Sequence, residues 1–391
     1  LHNSTIIAIF WACTFIIIYT YIGYGFLIFL LNKIKPKAEF KIQEELPGIT
    51  IVVPCFNEES IIEEKIRNTF ELTYPKDKIQ YIFISDGSTD STSAYIKKHL
   101  EILLLHKEER NGKSAAENRA MEYVEKEIVL FCDANAMFNK DALLHVAKYF
   151  KSKKVGGVSG EKRLLLNAND GVIESEGLYW KYESFLKQQD SDLYTVVGAA
   201  GELFAMRSAL YEHMPNDTIN DDLTQSLSVN LKGYRVLYTS DAYAYERPSD
   251  NVKEEKKRKI RMVAGAWQTM VRMPEIFNII KHPLLAFQFI SHRALRWTLC
   301  PIALVLVFIS NILIVLNHTY VDIYGLTICI QLVFYGFALL GYIFRNSTFN
   351  LKLFNFSYYF IFMNYCAYLG FIRFIKGGQS VKWDRSVRKT Q

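Results

Sequence analysis

"EIVLFCDANAMF", residues 127–138, is an apolar run that stops at a carboxylate and a carboxamide. Ile128 to Cys132 suit a buried strand, and Asp133 and Asn135 follow at once. A strand covered on both faces reads as a near-continuous hydrophobic run, the habit of parallel sheets. Ligands bind beyond the carboxyl ends of such strands. The stretch therefore predicts a central strand that delivers oxygen-bearing side chains to a binding edge.

Its neighbours repeat the pattern. ITIVVP (49–54) is followed by NEESIIEEKIRNTF, which has helical spacing and an acidic first turn. YIFIS (81–85) ends at DGSTD and leads into a polar helix that runs to about His99. ILLLH (102–106) precedes a predicted helix over 113–126, and a further helix is expected over 141–150. This βαβα order argues for an α/β domain with a mostly parallel, Rossmann-like sheet and helices on both faces. Beyond residue 155 the alternation loosens: a strand near 157–166, a helix over 174–189, a Gly-rich stretch at 195–207, a helix ending at Gly233, then the strand YRVLY.

The rest of the 391-residue chain has a different solvent. It is 50% hydrophobic yet 22% charged, and the two characters are segregated. Residues 5–31 carry no charge and are long enough to cross a bilayer. Apolar character returns at 298–317 and 323–344, with a third candidate at 353–375. Residues 284–297 hold His292, Arg293 and Arg296 and read as interfacial. Basic clusters at 33–37, 253–261 and 373–389 place the soluble domain on the cytoplasmic side. By the same rule 353–375 is expected not to cross fully. The basic runs read as lipid-facing anchors, with no nucleic-acid partner. The six cysteines include no CxxC pair, so neither a zinc site nor a disulfide framework is indicated.

The soluble part lacks GxGxxG, a complete P-loop, HExxH and GxSxG. What remains is carboxylates at strand ends and a helix start: Asp86, Asp133 and the pair Asp221–Asp222. Singly, each is an ordinary turn or N-cap residue. Converging on one sheet edge, they suit a divalent metal shared with substrate phosphates. Lys113 can add positive charge against a leaving diphosphate, and Asp222 is the candidate base for an incoming hydroxyl.

The pattern resembles family 2 glycosyltransferases of GT-A fold, especially the membrane-embedded hyaluronan, chitin, cellulose and poly-N-acetylglucosamine synthases. The resemblance rests on VPCFNE (53–58), SDGSTD (85–90), GK (112–113), DAN (133–135), GAAGELFAMR (198–207), NDD (220–222) and RKIRM (258–262). It implies that Pro54, Asn57, Glu58 and Asp86 bind the uridine end of a UDP-sugar, and that Lys113 contacts its diphosphate. Asp133 and Asn135 match the family's DxD element around a Mn²⁺ or Mg²⁺ ion, with Asn135 replacing an acid. Asp222 matches the catalytic base, with Asp221 beside it. Gly201 and Glu202, in the 198–207 loop, would line the acceptor site, and Trp180 could stack on sugar there. Arg258 and Arg261 match the QxxRW element without its Gln and Trp. RALRW at 293–297 looks closer to that element but sits beside a membrane span.

The helix around 258–272 has a basic stripe (Arg258, Arg261, Gly265, Gln268, Arg272) and an apolar one (Ile260, Val263, Ala264, Trp267, Met270, Val271). That suits a helix lying between a charged site and a membrane. The expected organisation is a transmembrane helix at 1–32, a GT-A domain at 40–250, amphipathic interfacial helices at 251–297, a transmembrane region at 298–376 and a basic tail at 377–391. The expected function is a multi-pass inner-membrane inverting glycosyltransferase that extends and exports a polysaccharide. Two alternatives stand beside it: transfer of one sugar to a membrane lipid, and non-catalytic binding of a nucleotide sugar. The sequence specifies neither the sugar nor an oligomeric state.

Overall fold

The computed structural model describes residues 3–35, 45–165, 171–247, 252–317, 323–345 and 351–378, with the backbone alone described for 171–176 and 178. Most of the predicted basic tail lies outside the described residues.

One mixed sheet carries the domain. Its strands are β1 (Ile49–Cys55), β2 (Ile79–Asp86), β3 (Ile102–Lys107), β4 (Ile128–Phe131), β5 (Met137–Phe138), β6 (Val155–Leu164), β7 (Phe204–Arg207) and β8 (Arg235–Glu246), in spatial order β3-β2-β1-β4-β7-β6-β8-β5. The β3-β2-β1-β4 half is parallel, β7 runs antiparallel to both β4 and β6, and β8 is parallel to β6. The fold is thus GT-A-like, with a mostly parallel mixed sheet, as the strand-end motifs implied.

Alternate residues of each parallel strand feed two separate cores. Ile49, Ile51 and Val53 of β1 join one cluster with Leu130, while Val52 joins the other with Val129 and Phe131. This two-sided burial is why the strands read as unbroken apolar runs. Chain direction reverses between β1 and β4, because β2 and β3 lie on one side of β1 and β4 on the other. The crevice at such a switch point is where open α/β sheets bind ligands.

The helices around the sheet are α3 (Ile62–Phe70), α4 (Thr92–Ile96), α5 (Lys113–Met121), α6 (Ala142–Ala147), α7 (Gly171–Leu193) and α8 (Asp221–Leu231). α3 begins five residues later than the spacing suggested. Residues 57–61 instead form a turn in which Asn57 takes φ 54°, a conformation Asn tolerates better than most residues. α5 stops at Met121, short of the predicted 126.

Before the domain come α1 (Asn3–Ile18) and α2 (Tyr24–Ile34), joined by a π-helical turn at Tyr19–Gly23. After it come α9 (Val252–Arg272), α10 (Pro283–Phe289), a second π-helical turn (Ile290–Ala294), α11 (Leu295–Trp297), α12 (Leu299–Asn317), α13 (Ile323–Ile343) and α14 (Lys352–Ile375). Three helical stretches are long and apolar enough to cross a membrane: Ser4–Ile34, Leu299–Asn317 and Ile323–Ile343. α14 packs against α13 and α9.

The interfacial reading of 284–297 needs revision for its polar residues. His292 is fully buried, and Arg293 and Arg296 turn inward to Glu183 of α7. Their charges face the domain because α7 supplies the counter-charge. The basic stripe of α9 also turns inward. Gln268 Oε1 accepts from Ile219 N at 3.0 Å, its Nε2 donates to Asp217 O at 2.8 Å, and Arg272 pairs with Asp217. Opposite it, Trp267 packs on Phe371 and Phe374 of α14.

Candidate active site

Each strand end contributes as its sequence promised. After β1, Asn57 Oδ1 accepts from Thr89 N at 2.8 Å, and Glu58 N donates to Thr92 Oγ1 at 2.8 Å. These bonds lace the turn after β1 to DGSTD after β2. Pro54 lies within β1, buried beside Ile84 of β2. Asp86 is fully buried, and its carboxylate accepts from Gly112 N at 2.8 Å and from Asn111 N at 3.1 and 3.2 Å. It thereby anchors the turn from which α5 starts, so Asp86 acts on Lys113 through the backbone.

Lys113, the first residue of α5, is the electrostatic centre. Its Nζ lies 2.9 Å from Asp133 Oδ1, 2.9 Å from Asp221 Oδ2 and 3.8 Å from Glu117 Oε1. Burial pulls this amine's pKa down, but Asp133 and Asp221, then Glu117, outweigh it and hold the group well above the ordinary lysine range. Asp133 sits just beyond β4, and Asp221 and Asp222 open α8, where the helix N-terminus favours negative charge.

The two adjacent acids are set apart by environment. Burial would raise Asp221, but the Lys113 amine prevails and its pKa is lowered. Asp222 has no such partner. Burial, then the Asp221 charge, push it up to about 6. Its carboxylate faces Gly201, where a Cβ would lie 3.4 Å from Asp222 Oδ2 and 3.6 Å from Lys113 Nζ. A small cavity lined by Glu117, Phe131, Gly201, Phe204, Asp221, Asp222 and Gln225 lies here.

On the acceptor side, Lys162 of β6 pairs with both Glu202 and Glu246. Burial favours a neutral Glu202, yet Lys162 overrides it and the carboxyl falls to about 2. Asn135 Nδ2 reaches Glu246 Oε1 at 3.4 Å, so the DAN turn is tied to this cluster. Trp180 lies between two lysines, with Lys162 Nζ 5.1 Å and Lys259 Nζ 5.3 Å from its ring centre. Arg258 forms a two-pronged pair with Glu255 at 2.9 and 3.0 Å. Arg261 Nη2 reaches Ile219 O at 3.4 Å, next to the start of α8.

Residues 50–214 match the family model described as glycosyl transferase family 2. The chain carries a family 2 glycosyltransferase domain. It is 27% identical over 280 residues to poly-β-1,6-N-acetyl-D-glucosamine synthase of Staphylococcus aureus, spanning 68% of this chain and 65% of that relative. The same enzyme of Staphylococcus epidermidis is 23% identical over 324 residues, 78% of this chain and 76% of the relative. The chain thus aligns with just under two-thirds of the length of the first of these. In fold it is similar to the mannosyltransferase PcManGT from Pyrobaculum calidifontis, solved with GDP-Man and Mn²⁺: TM-score 0.72, 22% identity, 96% of this chain and 100% of that one.

For a metal, the glycosyltransferase domain offers a thin donor set. Among the described residues no three His, Cys, Asp or Glu side chains converge as metal ligands. Asp133 keeps 35% side-chain exposure, with Asn135 two residues on. One carboxylate and one amide oxygen fit a hard cation that takes its remaining ligands from water and a diphosphate, as Mg²⁺ does.

Sequence reasoning missed Glu117, Lys162, Glu246 and Lys187. Glu117 was findable, since it lies one turn from Lys113 on the same helix. Burial and the Asp221 charge push it well above the usual carboxylate range. Lys162 and Glu246 stand on β6 and β8, far apart in sequence, and only strand pairing brings them together.

Proposed function

We propose that this chain is an inverting membrane glycosyltransferase that takes a hexose from a nucleotide (UDP) sugar on the cytoplasmic side and extends a polysaccharide. The observation that carries the reading is the meeting of Lys113, Asp133, Asp221 and Asp222 at one edge of the sheet. The lettering of the staphylococcal relatives supports a UDP-linked N-acetylhexosamine as donor.

Asp222 removes the proton from an acceptor hydroxyl, whose oxygen attacks the anomeric carbon as the bond to the diphosphate breaks. A pKa of about 6 suits this work, because the group is ionised at neutral pH yet still basic. Asp221 stays ionised against Lys113, which keeps the amine charged and fixed where the diphosphate departs. Mn²⁺ or Mg²⁺ held by Asp133 and Asn135 would neutralise charge on that leaving group. Glu202, locked to Lys162, walls the acceptor side next to Trp180.

Transfer of a single sugar to a membrane lipid is the second reading, favoured by the buried cations between this site and the membrane helices. The deciding experiment incubates the protein in lipid with UDP-sugars and GDP-mannose, plus Mn²⁺ or Mg²⁺, for wild type and Asp222→Asn. Long product lost in the variant supports the polymer synthase. A product one sugar longer supports the second reading, and binding without nucleotide release by any donor sinks both.

A further inference from the structure

Between the catalytic mouth and the membrane helices lies a group of cations that the chemistry above does not use. Glu183 of α7 is its hub: Arg293 Nη2 lies 2.5 Å from Oε1, and Arg296 Nη1 and His292 Nε2 lie 3.3 and 3.4 Å from Oε2. Lys187, one turn along α7, is only 5% exposed and makes no hydrogen bond or ion pair with a described residue. The other acid nearby, Asp190, already serves His292 at 2.5 Å, the Tyr24 hydroxyl and Gln288. Glu202 belongs to Lys162. Three cations, Lys187, Arg293 and Arg296, therefore share one carboxylate.

The deficit also shows at the atoms. Arg293 Nε, Arg296 Nε and Arg296 Nη2 are buried without an acceptor. Burial holds Lys187 below the ordinary lysine range, with Glu183 offsetting only part of the effect. Buried donors left unsatisfied cost about 1–3 kcal/mol each, more when charged. A phosphate answers all of these at once, with its negative charge and fork-matched oxygens.

The place matters as much as the charge. Gly198, at φ +146°, lets the Arg293 guanidinium come within 3.6 Å of where its Cβ would stand, and Leu223, next to Asp222, lies 3.2 Å from that point. Lys187 is within electrostatic reach of Glu202 and Asp222. At the other end, Arg296 lies 5.7 Å from the ring of Tyr21, on the long apolar N-terminal helix, and 5.6 Å from that of Tyr182. Both π-helical turns, Tyr19–Gly23 and Ile290–Ala294, border this group, and such turns recur at functional sites. The donor's diphosphate belongs with Lys113, at the Gly201 end of the loop; Arg293 meets its Gly198 end.

We propose that Lys187, Arg293 and Arg296 bind a phosphate group carried by a lipid on the acceptor side of the site. This rests on the glycosyl-transfer reading and names the chemical class of its acceptor or primer. The phosphate sits at the membrane level, with the lipid tail along the apolar helices and the reactive end toward Asp222.

The test uses the full chain in nonionic detergent, titrated with dodecyl phosphate, dodecanol and inorganic phosphate, with UDP binding measured on the same samples. Dodecyl phosphate is expected to bind and dodecanol not to. Lys187→Met and Arg296→Gln should each weaken dodecyl phosphate on the order of 10-fold, while the distant control Lys148→Gln has no effect. Lys187→Met should also raise the unliganded Tm, because it removes a buried charge without a partner, an effect a structural lysine would not give. Equal binding of dodecanol, or unchanged affinity in both variants, overturns the proposal. Inorganic phosphate binding as tightly as dodecyl phosphate overturns the lipid source and leaves a free-phosphate site. Should Arg296→Gln fail to fold, Lys187→Met decides alone. Wild type that binds dodecyl phosphate but no nucleotide refutes the glycosyl-transfer reading and not the phosphate site.

Discussion

Asp221 and Asp222 are chemically identical neighbours, and the difference between them is the position of one amine. Lys113 touches Asp221 and leaves Asp222 to burial and to its neighbour's charge. Activity should therefore rise with pH through about 6 as Asp222 ionises, which a kcat/KM profile would show. Stability should run the other way. A carboxyl raised in the folded state stabilises below its unfolded pKa and loses that contribution as pH climbs past the folded one. Asp222→Asn should abolish transfer while raising stability near neutral pH by on the order of 2 kcal/mol; a less stable Asn variant would contradict this account. Lys113→Met should do the opposite. It strips the partner from Asp133 and Asp221, costing about 3–5 kcal/mol and weakening UDP binding, both measurable by thermal unfolding and titration calorimetry.

Elements bring these residues together through backbone contacts that side-chain motifs do not announce. α5 is aimed by Asp86, whose buried carboxylate holds the amides of Asn111 and Gly112. α8 is held from the membrane side by α9, which approaches so closely at Gly265 that a Cβ there would strike the Asn220 side chain. Gly265→Ala should push α9 off the start of α8, cost about 1–3 kcal/mol and lower kcat more than donor affinity. Normal kcat in a folded Ala variant would show that α9 does not position Asp222. The stripes of α9 were legible from helical period alone. Their partners were not: the basic stripe meets residues 217–220 and Trp267 meets α14, which belong to other parts of the chain.

At the scale of the whole molecule, the membrane helices and the catalytic domain share one buried polar network. The Tyr24 hydroxyl of α2 donates to Asp190 of α7, Asn32 Nδ2 donates to Gln189 O at 2.8 Å, and Asp190 in turn meets His292 beside the later membrane helices. Tyr24→Phe should cost about 1–3 kcal/mol by depriving a buried carboxylate of a donor. Domain unfolding followed by tryptophan fluorescence in detergent would read that loss, and an unchanged transition would mean that the helix and the domain are uncoupled.

Local pattern determined much of this protein. Two-sided apolar runs called for a parallel sheet, the positions of Asp133, Asp221 and Asp222 called for a binding edge, and the long uncharged segments called for membrane helices. All three are readable because period and hydropathy act over a few neighbouring residues. Tertiary structure alone decided that Asp86 serves the backbone and that Lys113 pairs with Asp221 rather than Asp222. It also decided that Arg293 and Arg296 turn away from lipid toward Glu183. Those outcomes depend on which distant charge arrives within about 4 Å, and the order of residues along the chain does not encode that distance.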